Sequence, residues 1–401
     1  MSLALPVAVA SFMAPAASAS GPAPAVPCGV GEPQWLTEDP FALARLGVAD
    51  AWTVSRGAGV TVAVVDSGVE ADNPHLTDAV VPGISLIPGD PEPSGTAAVN
   101  NHGTAIASLV AARPVAGSRL RGVAPEAVIL PVRVFASTDE RDAAEGNGLR
   151  TDRMADGIRE AVDRGADIIN VSISSPRPDP SLESAVRYAV DNDVLVVASA
   201  GNRGDGIDDG LRWPAAYDGV LAVAATTTND DVGRSVASPA VDVAAPGQQV
   251  PSAWFDGRNC MNAPGDSDPQ TSWAAGYVSG VAALVAAARP DASAEDIAYR
   301  IMVTADRPVR AQRDDRRGWG IVQPYLAMTI VTDPGLAGPA PPGGRSQPSP
   351  APSAVALTRA PGVDAVAPAR RAAGWWLLAG LAGVGLLTLA RVVTGRRHRP
   401  R

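Results

Sequence analysis

The sequence predicts an α/β domain with a central, mostly parallel sheet, followed near the C-terminus by a single transmembrane helix. Three observations predict it. Short β-branched runs recur along the chain at 60–65 (VTVAVV), 128–135 (VILPVRVF), 166–173 (ADIINVSI), 194–200 (VLVVASA) and 220–226 (VLAVAAT). Helical patterns lie between them, at 151–164 and 181–192, each opening on a hydroxyl residue read as an N-cap with an acid in its first turn. Strand and helix in alternation imply a parallel sheet covered on both faces, whose ligand sites lie at the carboxyl ends of the strands. Finally, 372–390 (AAGWWLLAGLAGVGLLTLA) is uncharged. As a helix it would span about 28 Å at about 1.5 Å per residue, against a hydrocarbon core of about 30 Å. Trp375 and Trp376 stand at its entry, and the basic tail 391–401 reads as cytoplasmic.

Composition narrows the function classes. Apolar residues make up 46% of the 401 positions and aromatics only 4%, so small aliphatic side chains must fill the core. A net charge of −9, with every basic residue other than histidine an arginine, argues against a nucleic-acid partner. Residues 1–19 form an apolar run ending in Ala17-Ser18-Ala19, which reads as a secretory signal peptide cleaved before Ser20. The expected organisation is then a signal peptide, an N-terminal extension over 20–34, a folded domain over 35–330, a Pro/Ala/Gly-rich linker over 331–371, the span and the tail. This places the chain in the cell membrane as a single-pass protein with its folded domain outside the cytoplasm.

Three local patterns carry chemistry. Asp66 ends the first strand and is followed by Ser67-Gly68; alone, this is ordinary turn chemistry. His102, in Asn101-His102-Gly103-Thr104, opens an apolar helical segment, and Gly103 would admit another backbone close by. Of the other two histidines, His398 belongs to the tail and His75 lies in a loop signal where a surface role is expected, so His102 is the candidate general base. Ser272, in Gln270-Thr271-Ser272, stands at the start of an apolar helix, where unpaired amides and the helix dipole favour an oxyanion. A Thr-Ser N-cap would account for the same residues.

Together the order Asp, His, Ser and these contexts resemble the subtilase family of serine proteases, the chain order of subtilisin. The resemblance runs from about Trp52 to Leu326, through Gly122-Val123-Ala124-Pro125, Asn170-Val171-Ser172, Ala200-Gly201-Asn202, Ala245-Pro246-Gly247 and Gly318-Trp319-Gly320. It implies a three-layer subtilisin-like fold and a serine endopeptidase with Asp66, His102 and Ser272 as catalytic triad. It further implies Asn202 and the Ser272 amide as oxyanion hole, and Ser172, Ile173 and Ser174 as backbone partners of an extended peptide substrate. The architecture as a whole is similar to that of the mycosins, subtilases of actinobacterial type VII secretion. That likeness implies a secretion membrane complex as partner and an N-terminal extension, ahead of a first domain helix at 48–53, that wraps around the domain. Cys28 and Cys260 are the only cysteines, and outside the cytoplasm an even pair favours a disulfide between them. No metal-ligand spacing or cofactor motif is evident.

The sequence also departs from the family pattern. Ser174 stands where glycine is usual, Gln270 replaces the glycine before Thr-Ser, and Gly276 replaces a common proline. A side chain at position 270 could narrow the cleft or shift Ser272. The alternative reading is therefore a catalytically impaired subtilase-fold scaffold that stabilises a membrane secretion complex.

Overall fold

The computed structural model describes residues 35–137, 146–204, 209–333 and 335–342. The leader, Cys28, the linker beyond 342 and the 372–390 segment lie outside the described residues.

Apolar runs bounded by glycine and polar turns become strands buried on both faces. Among the described residues, β1 (Thr61–Asp66), β2 (Ile84–Ser85), β3 (Val128–Arg133), β4 (Ile168–Val171), β5 (Leu195–Ser199), β6 (Val220–Thr226) and β7 (Val243–Pro246) form one parallel sheet. Its order is β2-β3-β1-β4-β5-β6-β7. β1 thus sits between β3 and β4, with Ala63 in register with Leu130 on one side and Ile169 on the other. The winding direction reverses at β1, which opens a crevice beyond its carboxyl end where Asp66 is the last residue. A separate antiparallel hairpin pairs β8 (Val250–Ala253) with β9 (Asn259–Asn262).

Helices cover both faces, as expected of a parallel sheet. After the short α1 (Phe41–Arg45) and α2 (Val48–Ala51) come α3 (Asn101–Ala111), α4 (Thr151–Asp163), α5 (Pro180–Asp191), α6 (Thr271–Ala288), α7 (Ala294–Thr304) and α8 (Pro324–Thr329). α3 and α6 share one core with Val62, Val64, Val197 and Val223, while α4 and α5 share the other with Val65, Val132, Ile169 and Val196. Strand residues alternate between the two cores, the period of two that a strand imposes.

The helix caps correct the sequence reading. α4 starts after Arg150, which makes no side-chain cap, and Thr151 Oγ1 instead donates to Asp179 Oδ2 at 3.1 Å. α5 is capped by Asp179, whose Oδ1 accepts from the amides of Ser181 and Leu182, with Pro180 at the first helical position. A carboxylate that matches the unpaired amides and the dipole displaces the serine expected there.

α6 is apolar on every side, long enough by composition to cross a membrane, yet largely buried at the centre of this domain. It packs closely because Gly276 and Gly280 face its neighbours: a Cβ at 276 would stand 3.2 Å from Leu109 Cδ1, and one at 280 would stand 2.7 Å from Val123 Cβ. The missing proline at 276 therefore leaves a helix–helix contact intact.

At the opposite end of the sheet Asp242 precedes β7. Its Oδ2 accepts from the Ala222 amide at 2.9 Å, and its carbonyl accepts from Trp319 N–H at 2.6 Å. Burial pushes its carboxyl up to about 6, against the opposing pull of the Ala222 bond and Arg313. A group whose folded pKa exceeds its unfolded value adds stability that is complete below about 3.8 and is lost as pH rises through about 6. Asp242→Asn keeps the acceptor and removes the titration. In thermal unfolding from pH 4 to 7, the variant should gain stability relative to the parent as pH rises, by about 1–3 kcal/mol at the upper end.

Candidate active site

Asp66 ends β1 with its carboxylate fully buried. Its Oδ1 accepts from the Ser67 amide at 2.8 Å, and both oxygens, each at 2.9 Å, accept from His102 Nδ1–H. This arrangement fixes the tautomer in which Nε2 is left as the basic nitrogen.

His102 is the second residue of α3. Asn100 caps the helix by accepting the His102 amide on Oδ1 at 2.9 Å, and Ser67 ties cap to strand by donating to Asn100 O and accepting from Gly103 N–H. The close approach expected at Gly103 is present: a Cβ there would lie 2.2 Å from Gly68 O and 3.2 Å from Asp66 Oδ1. Burial disfavours the imidazolium, but the charge and hydrogen bond of Asp66 outweigh it, so the His102 pKa is raised above its ordinary 6.5.

Ser272 occupies the first turn of α6 and is nearly buried. The N-cap is Gln270, which makes no side-chain cap, so the Thr-Ser pair is inside the helix rather than capping it. Asn202, just past β5, makes the side-chain contact instead: its Oδ1 accepts from Thr271 N–H at 2.9 Å. With the oxygen so engaged, the NH2 is the remaining donor of the Asn202 side chain, and the first-turn N–H of Ser272 has no acceptor within the helix. The next residue, Trp273, stacks its ring against His102 with centroids 5.0 Å apart and planes tilted by 40°. The nucleophile candidate, imidazole and carboxylate thus belong to one region at the carboxyl edge of the sheet.

Sequence reasoning missed the polar contacts that tie α6 to the sheet. Ser279 Oγ accepts from Asn170 Nδ2 at 2.9 Å, Asn170 Oδ1 accepts from Ser172 Oγ at 2.8 Å, and Ser172 Oγ lies 3.1 Å from the Ser272 carbonyl. These groups are all buried, and each partner satisfies the next. Ser172 is therefore anchored to the nucleophile helix, while Ile173 and Ser174 follow it half-buried along the edge of the cleft. Ser174 Oγ would lie 3.5 Å from a Cβ on Gly201, whose φ of 93° favours glycine.

One sequence-based expectation meets a different outcome. His75 is not at the surface: its side chain is wholly buried, Nδ1–H donates to Arg113 O at 2.7 Å, and Nε2 accepts from Ser118 Oγ at 2.9 Å. The Asn73 turn, with Oδ1 accepting the His75 amide, folds the ring inward, and burial lowers its pKa. The Gln270 side chain donates to Asp268 O at 3.3 Å. Cys260, on β9, is disulfide-bonded, and its expected partner Cys28 lies outside the described residues.

Fold and site together define a subtilisin-like α/β hydrolytic domain. The subtilase family profile matches residues 57–320, and the chain belongs to that family of serine proteases. It is 34% identical over 264 residues to thermitase of Thermoactinomyces vulgaris, covering 66% of this chain and 87% of that protein. It is also 34% identical over 386 residues to mycosin-4 of Mycobacterium tuberculosis, covering 87% and 80%. Among solved structures, MycP1 from the ESX-1 type VII secretion system superimposes with a TM-score of 0.66 at 29% identity, covering 79% of this chain and 91% of the other.

Gly103→Ala should push α3 away from Gly68, because its Cβ has only 2.2 Å to a backbone oxygen. We expect a loss of about 1–3 kcal/mol in denaturant unfolding, with any peptidase activity falling further than stability alone explains.

Proposed function

We propose that this chain is a membrane-anchored serine endopeptidase that cleaves extended peptide segments through an acyl-enzyme, in association with a type VII secretion complex. The observation that carries the catalytic part is the buried Asp66 carboxylate bound through both oxygens to His102, beside the helix start that bears Ser272. In this reading His102 Nε2 takes the Ser272 hydroxyl proton as Oγ attacks the peptide carbonyl. Asp66 holds the tautomer and stabilises the imidazolium that forms. Asn202 Nδ2 and the Ser272 amide receive the developing oxyanion. The C–N bond then breaks, His102 returns the proton to the departing amine, and water releases the acyl group. Ser172, Ile173 and Ser174 offer their backbone to the acyl half of the substrate as an added strand.

The secretion context is supported by likeness to mycosins over most of the chain, and the anchor by the apolar 372–390 segment. The proposed Cys28–Cys260 bridge would pin the N-terminal extension to the β8–β9 hairpin, at the register position facing Ser252.

A fluorophosphonate probe should label the folded chain at Ser272 and fail on Ser272→Ala; an unlabelled parent would support the scaffold. Asn202→Ala should lower kcat about 10²–10³-fold, the range known for the matching donor of subtilisin. Because the imidazole must be neutral to accept a proton and its pKa is raised, kcat/KM should fall on the acid side with a midpoint above 6.5. Asp66→Asn should move that midpoint down and reduce kcat about 10⁴-fold.

A further inference from the structure

A cavity of about 440 Å³ opens beside His102, walled by Trp254, Phe255, Asn262, Trp273 and Val99. Ser172, Ile173, Ser174 and Asn202 are not among its lining residues, so it stands beside His102 and Trp273 but apart from the edge assigned to the acyl half. Chemistry says what occupies that side. When the bond from carbonyl carbon to nitrogen breaks, His102 must deliver the Ser272 proton to that nitrogen, so the residue carrying the departing amine lies against the imidazole. We infer that this cavity seats the side chain of that first leaving residue, and that it selects an aromatic or long aliphatic one. The inference rests on the serine-protease reading above and adds its substrate class.

The walls select by what they offer and by what they lack. The rings of Trp254 and Phe255 meet edge to face, with centroids 5.4 Å apart and planes at 69°, and Trp273 forms the floor beside the catalytic ring. Aromatic walls of this kind bury a large flat side chain in stacked or edge-on contacts. Val99, 59% exposed at the rim, extends the apolar surface. The side chains seen to line the cavity carry no carboxylate or guanidinium. An acidic side chain would lose its water there with no partner until the His102 ring is charged. A basic one would sit against His102 just as that ring becomes an imidazolium.

The seat is also held in place before substrate arrives. Trp254 and Phe255 lie at the tip of the β8–β9 hairpin, and Asn73 Nδ2 donates to Trp254 O at 2.8 Å and to Arg258 O at 3.2 Å. At the base of the tip, Asn259 Nδ2 donates to Ser118 Oγ at 2.9 Å, joining the hairpin to the buried His75 pair. A preformed wall spends little binding energy on ordering itself, so its preference is expressed in the rate.

The test presents the full-length chain with a peptide library degenerate on the acyl side and carrying Phe, Leu, Gly, Asp or Arg at the first leaving position, with products identified by mass spectrometry. Parent, Trp254→Ala and Phe255→Ala are compared, with fluorophosphonate labelling of each in parallel. We expect kcat/KM for Phe and Leu to exceed that for Gly, Asp and Arg at least about tenfold, and each variant to cut that ratio at least about threefold. The ratio is internal to each protein, so partial loss of folded variant does not change it. A labelled parent that cleaves all five equally, or prefers Asp or Arg, overturns the cavity assignment and leaves the protease standing; so does a ratio unchanged in both variants. A parent that neither labels nor cleaves overturns both.

Discussion

A charge withdrawn from water at the end of β1 sets the terms for everything around it. The Asp66 carboxylate is fully buried, and an unpaired buried carboxylate would cost several kcal/mol or pick up a proton. Its partners come from a backbone amide one residue on and from an imidazole thirty-six residues away. The second partner can be reached only because α3 begins against the Gly68 carbonyl, at a separation that leaves no room for a Cβ on Gly103. Two glycines and a capping asparagine therefore decide where the base candidate stands.

The same economy governs α6. The helix presses against five strands and α3, and it does so with mostly small residues on all sides. Its first turn is fixed not by its own cap but by Asn202 from β5, and its middle by Asn170 from β4 through Ser279. Ser272, Asn202 and the end of β4 at Asn170 and Ser172 are thus parts of one hydrogen-bonded unit. The order among them follows from packing rather than from any single strong interaction.

Much of this was readable from the residues. β1, β5 and β6 are uninterrupted Val/Ala runs, and a run buried on both faces has no other good use in a chain of this composition. The shorter strands β2, β8 and β9 carry too few apolar residues to announce themselves, and their pairing depends on neighbours far along the chain. The catalytic candidates could be found because each stands at a strand or helix end with a glycine nearby. Asn170, Ser279 and Trp273 could not, since a small polar residue in an apolar helix, or a tryptophan after a serine, has no meaning until another segment is beside it. His75 was misplaced for a related reason: a loop can fold its side chain inward when the surrounding carbonyls and hydroxyls satisfy both ring nitrogens.

The apolar character of α6 has a consequence beyond packing. Anything that threads this chain unfolded through a bilayer meets, more than eighty residues before 372–390, another helix-length stretch that by composition could stop there. What separates the two is leucine: 372–390 carries six leucines and two tryptophans, against one of each in α6. The small side chains that let α6 fit among its neighbours also give it less apolar surface to hold it in lipid.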